Sequence, residues 1–149
     1  MAFDAVGLAA NIMQFVSFSY KFVSQAHEAY KSATGSIAEH TDHDMIAEDL
    51  SELSRGLKVP DGQDPASSEE VAVQKLASAC KEVSDELLPI VRSLSVKPGR
   101  HRKISTFVQA VKSAWKEDQI IALRRRLEGI RGELSMRILA IIWYVIFSL

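Results

Sequence analysis

The sequence predicts an all-α protein, an up-and-down bundle of four to five helices, and three observations carry that reading. First, Ile120, Leu123, Leu127, Ile130 and Leu134 recur in alternating steps of three and four. At about 3.6 residues per turn this draws one continuous apolar stripe down a helix, with Arg124, Arg125, Arg126, Glu128, Arg131 and Glu133 on the solvated side. Second, four prolines and seven glycines are few for 149 residues, so the elements should be few and long. Third, alternating β-branched runs are missing, which argues against a sheet. A stripe this long has to be covered by other helices of the same chain.

The length suits one domain, residues 1–149, with enough chain to bury a substantial core. Cys80 is the single cysteine, which excludes an intramolecular disulfide and fits a reducing compartment. The opening MAFDAVGLAANIMQF lacks a basic leader and carries Asp4, so it reads poorly as a signal peptide. No stretch reaches the roughly 18 consecutive apolar residues that a spanning helix needs. Ile138 to Leu149 form an uncharged tail, too short to span alone and unusually apolar for an exposed segment.

The first helix is expected from Phe3 to Thr34, with Gly35 closing it. Leu8, Ile12, Phe15, Phe22 and Ala26 line one face, and Val16, Phe18 and Val23 widen it until the first two-thirds is apolar nearly all round. Two readings stand: a central core helix, or an amphipathic segment that leaves the bundle and enters a bilayer. Ser36 with Glu39 makes a capping box for a second helix, Ile37 to Leu57, whose buried face is Met45, Ile46, Leu50, Leu53 and Leu57. A loop with Pro60, Gly62 and Pro65 follows, and Ser67 with Glu70 caps the next helix. That third helix, Ser68 to Val96, carries the stripe Val73, Leu76, Cys80, Val83, Leu87, Val91 and Leu94, and Pro89 inside it should kink or split it. After the basic turn Lys97 to Lys103, a fourth helix from Ile104 presents Phe107, Val111 and Trp115, and a bend at Trp115 to Asp118 leads into the long striped helix.

Charge is divided unevenly. Residues 1–57 hold three Lys/Arg against eight Asp/Glu, residues 58–96 four against seven, and residues 97–149 eleven against four. An acidic front and a basic back attract one another within a bundle, or present a basic face to an anionic partner. Lys97, Arg100, Arg102 and Lys103 are the candidate contacts to anionic lipid, set against the plainer reading of a solvated turn. Stacking aromatics and a recognition helix are missing, so nucleic acid is not the expected partner.

Chemistry is scarce. His40 and His43 stand three apart beside Asp42 and Asp44, a spacing that can hold a metal. They lie on the charged face, however, with no second His/Glu pair on a facing helix, so no metal is expected. The glycines are scattered and assemble no phosphate-binding loop, and Cys80 lies on an apolar stripe without a nearby histidine. The sequence predicts no enzyme, no cofactor and no small-molecule substrate.

Three blocks carry a family resemblance. DAVGLAANIMQFVSFSYKFVSQAHEAYKSATG, LASACKEVSDELLPIV and HRKISTFVQAVKSAWKEDQIIALRRRLEGIRGELSMRIL, in that order, resemble the N-terminal domain of fungal NLR-type receptors, the NACHT and ankyrin STAND proteins. The resemblance covers about residues 3–139, and it is specific as a set rather than block by block. It implies a HeLo-like helical bundle that serves as a signalling or executioner domain in fungal innate immunity, heterokaryon incompatibility and programmed cell death. Such a domain is cytoplasmic and is recruited to the plasma membrane once the receptor oligomerises, through self-association or a NACHT-type partner. The membrane-active role would fall on the first helix, on Leu8, Ile12, Phe15, Val16, Phe18 and Phe22. The family offers no catalytic residue. An alternative is a soluble adaptor that works through helix–helix protein contacts alone. No NACHT segment follows within these residues, and IIWYVIFSL stands where a polar linker is expected. That tail, with Ile141, Ile142, Trp143 and Phe147, is a second candidate contact, for membrane or for another protein if it is exposed.

Overall fold

The computed structural model describes residues 2–31, 43–58, 68–95 and 115–148. Four helices account for nearly all of them: α1 (Ala2–Lys31), α2 (His43–Arg55), α3 (Ser68–Ser95) and α4 (Glu117–Phe147). No strand occurs among the described residues. The expected caps at Ser36 and Gly35, the loop prolines and the helix from Ile104 lie outside them.

Local chemistry suits most of the ends. α3 opens with Glu69 and Glu70 and α4 with Glu117 and Asp118, while Lys31, Arg55 and Arg92 stand in the last turns of α1, α2 and α3. Those signs complement the helix dipole at both poles. At the start of α4 the Lys116 N–H donates to Gln119 Oε1 at 3.0 Å, so one of the free donors at the helix entrance is satisfied. α3 is not split at Pro89, contrary to one branch of the sequence expectation: it runs unbroken from Ser68 to Ser95. The ring sits on an exposed face, where water can serve the carbonyl that loses its helical donor.

Polar contacts between helices give the topology. α1 and α4 run antiparallel, because His27 meets Glu117 while Tyr20 meets Arg124 and Glu128 further along. α3 is antiparallel to α4 through Glu86–Arg126 and Glu69–Arg137. α2 is antiparallel to α3 through Ser54–Ser84 and Ser51–Arg92. The result is up-down-up-down. α1 and α3 form the central pair, since each touches every other described helix, whereas α2 and α4 lie on opposite sides and do not meet.

The core follows the sequence stripes. Ile120, Leu123, Leu127, Ile130 and Leu134 of α4 are all buried, as are Ile12, Phe15, Val16, Val23 and Ala26 of α1. Val73, Leu76, Cys80, Val83, Leu87 and Val91 complete it from α3, and Leu50 and Leu57 from the α2 segment. Trp115 closes the top edge, its ring edge-on to Phe22 with centroids 6.2 Å apart. Inside this packing Ser19 is fully buried and its Oγ has no hydrogen-bond partner.

These environments set opposite expectations for two core substitutions in urea denaturation. Leu127→Ala should cost about 2–5 kcal/mol, the usual penalty for emptying a fully buried leucine site. Ser19→Ala should instead raise stability by about 1 kcal/mol, because it removes an unsatisfied hydroxyl with almost no change in volume.

Candidate interaction surface

The end of the bundle where α1 and α3 begin and α4 finishes is where polarity and packing disagree. Glu69, at the start of α3, lies level with Arg137, their charged atoms 3.7 Å apart. α4 then continues to Phe147, so its last ten residues extend about 15 Å past that level at ~1.5 Å per residue. By the register of Tyr20 and His27 on α4, the first turns of α1 run alongside this extension. Ile138 and Ile141, continuing the inward stripe, are only half-buried.

The outward side is more unusual. Met136, Leu139, Trp143, Tyr144, Ile146 and Phe147 are each more than half exposed, and Ile142 nearly so. Trp143 and Phe147 stack at 4.6 Å between centroids, one turn apart, making a flat aromatic platform. Aromatic side chains carry roughly 150–250 Å² each, so this end exposes on the order of 700 Å² of apolar surface. The largest apolar patch on an ordinary monomer is about 300–600 Å². The last turn of α4 has no basic residue, and Ser148 folds back to bond the Tyr144 carbonyl through both its N–H and its hydroxyl. No helix among the described residues is long and apolar enough to cross a membrane.

The other sequence candidates fare differently. In α1, Ile12, Phe15, Val16 and Phe22 are buried, while Leu8 and Phe18 are half-buried against the same core. In the closed bundle all six are packing residues, with Leu8 and Phe18 partly open to solvent. Lys97, Arg100, Arg102 and Lys103 lie outside the described residues, as does His40; of His43 only the backbone is described. Ile142, Trp143 and Phe147 of the tail are exposed, and Ile141 is half-buried. Met136, Leu139 and Ile146 belong to the same surface but were not singled out from sequence. The signal that finds them is a second three-four series on α4, half a turn away from the buried stripe.

The basic residues nearest the core are already engaged. Arg126 holds both Glu86 carboxylate oxygens, at 2.9 and 3.0 Å, and stands 3.8 Å from Glu82. Arg124 donates to the Tyr20 hydroxyl at 3.2 Å, and that hydroxyl donates to Glu128 at 3.1 Å. The guanidinium also lies over the Tyr20 ring, 5.4 Å from its centroid, with Arg131 at 5.9 Å. The Tyr20 hydrogen bond keeps the Arg124 guanidinium firmly charged. Cys80 is buried without a polar partner, and burial pushes its thiol up to about 12. That is the environment of a packing residue, since a nucleophile needs its thiolate near neutral pH.

Two measurements follow from these placements. Trp143→Glu should keep the cooperative helical transition, as substitutions at exposed positions do, while Phe15→Glu should abolish it because it buries a carboxylate. The Cys80 thiol, raised in the fold from an ordinary value of 9.0 to about 12, contributes stability that is complete below pH 9 and lost as pH rises toward 12. Denaturation at stepped pH should therefore show a decline above pH 9 that is shallower in Cys80→Ala.

Comparisons of the chain with protein-family models, with curated proteins and with solved structures found no match.

Proposed function

We propose that this chain is a non-enzymatic signalling or executioner module of the fungal NLR-like type, which oligomerises and drives its apolar end into a membrane to cause cell death. The observation that carries the reading is the end of α4: from Ile138 to Phe147 it is uncharged on every side and extends past the level of Arg137. A helix apolar all round belongs in a large core or in lipid, and the outward side of this one lies exposed. The resemblance of residues 3–139 to the N-terminal domain of fungal NLR-type receptors supports the executioner role, and the membrane-active helix it implies is α1. Ten helical residues reach about 15 Å, half of a hydrocarbon core ~30 Å thick, so the contact would engage one leaflet. The surplus of positive charge in residues 97–149 favours an anionic surface, to which the protein would be recruited from the cytoplasm. The apolar face of α1 is buried in the bundle, and it would become available only if the bundle opened.

Dye release from anionic and neutral vesicles tests this, using the parent protein and a Trp143→Glu, Phe147→Glu double variant of the full chain. Release from anionic vesicles that weakens with added salt, and falls at least tenfold in the still-helical variant, is the expected result. Neither binding nor release by the parent, even when it is artificially clustered, would overturn the proposal and leave the adaptor reading in its place.

A further inference from the structure

The outward face of α4 is a second helix-packing seam, and its two halves are made of opposite kinds of residue. Gly129, Gly132, Met136, Leu139, Trp143 and Ile146 follow one another in steps of three, four, three, four and three, the repeat by which one helix packs along another. All six are exposed, so nothing among the described residues of this chain fills the seam. The first two positions are notches for want of a side chain, and they are open to an approaching helix, since a Cβ added at Gly129 or Gly132 would meet nothing within 4 Å. The last four are large apolar knobs that stand free, from 57% exposed at Leu139 to 72% at Met136.

We propose that the occupant is a second copy of this chain, whose α4 lies antiparallel along the same seam about a two-fold axis between Met136 and Leu139. That axis brings Gly129 opposite Ile146 of the partner subunit, Gly132 opposite Trp143 of the partner subunit, and Met136 opposite Leu139 of the partner subunit. Each knob of one helix thereby enters a notch or a matching knob layer of the other. A parallel pair would set knobs on knobs and leave the notches empty. The two-fold relation makes the surface self-complementary, as an isologous dimer requires. The area agrees: the apolar end exposes on the order of 700 Å² per chain, near the ~800 Å² per partner of a standard interface. A lone apolar stripe would suit lipid as well, but lipid has no use for paired notches at the matching distance along the helix. The pairing does not depend on the membrane reading, since it concerns the protein in water. It would hide the apolar end until lipid competes for it.

Sedimentation in lipid-free buffer tests the pairing directly. The parent should be a dimer. Leu139→Glu, at an exposed position, should remain folded and weaken the dimer by roughly a hundredfold or more, since each dimer would bury two carboxylates. Gly132→Leu adds apolar surface and helix propensity, so non-specific stickiness would rise, whereas a seam that needs the notch should come apart into monomers. The same Gly132→Leu protein should still bind anionic vesicles, because its tail is intact, and this separates failure of the pairing from failure of the membrane contact. Oxidation then fixes direction. Leu139→Cys, beside the axis, should cross-link to itself, but Ile146→Cys should not, because its counterpart would lie about 26 Å away along the helix. A monomeric parent, a Gly132→Leu dimer as tight as the parent, or cross-linking at Ile146→Cys would each overturn the proposal.

Discussion

The inward stripe of α4 is the constraint on which the other helices depend. Ile120, Leu123, Leu127, Ile130 and Leu134 lie along some 20 Å of helix at about 1.5 Å per residue, and all are buried. One neighbour cannot cover such a stripe. α1 and α3 do so together, running parallel to each other on the two flanks of α4, and this geometry obliges both to be long. It also explains why α1 is apolar over so much of its circumference: it faces α4, α3 and α2 at once. α2, the shortest of the four helices, is needed only to close the side of the α1–α3 pair that α4 leaves open.

Apolar packing tolerates sliding, and the polar contacts remove that freedom. The Asn11 side chain donates to the Gly56 carbonyl at 3.0 Å, just beyond the last turn of α2, where helix carbonyls lack donors. The Ser84 hydroxyl donates to Ser54 at 2.8 Å, joining α3 to α2 from a buried position. Tyr20 acts similarly on α4, with its hydroxyl shared between Arg124 and Glu128 and its ring beneath two guanidinium groups. None of these bonds is worth much more than ~1 kcal/mol, but a slip of one turn would break all of them together. They determine register more than stability.

The far end of α4 breaks the pattern that organises the rest. Up to Glu133 the helix has one apolar side and one polar side; beyond Arg137 it has two apolar sides and no charge. The inner side still leans on the bundle through Ile138, while the outer side is open. Unless it is covered, so much apolar surface costs free energy in water, at ~25 cal/mol per Å². A second chain and a lipid leaflet answer that cost in different ways. The notches at one end of the seam and the knobs at the other suit a helix partner, while the lack of any polar face suits hydrocarbon.

By itself the sequence determined the helical class and which residues face inward. The three-four spacing of apolar residues admits only one periodic structure, and the α4 stripe, the α3 stripe from Val73 to Val91 and most of the α1 face lie inside where their spacing places them, with Leu8 and Phe18 half-buried and the Leu94 side chain outside the described residues. It named Trp143 and Phe147 as a candidate contact without deciding whether the tail is buried or exposed. It left open whether the apolar face of α1 was core or membrane surface, because a residue such as Phe15 reads the same in either place. Only the tertiary structure separates the two, burying Phe15 completely and leaving Trp143 at 60% exposure. Hydrophobicity is a property of each side chain, whereas burial depends on which other helices reach it. α1 has three neighbours along its length, and α4 extends past the start of α3.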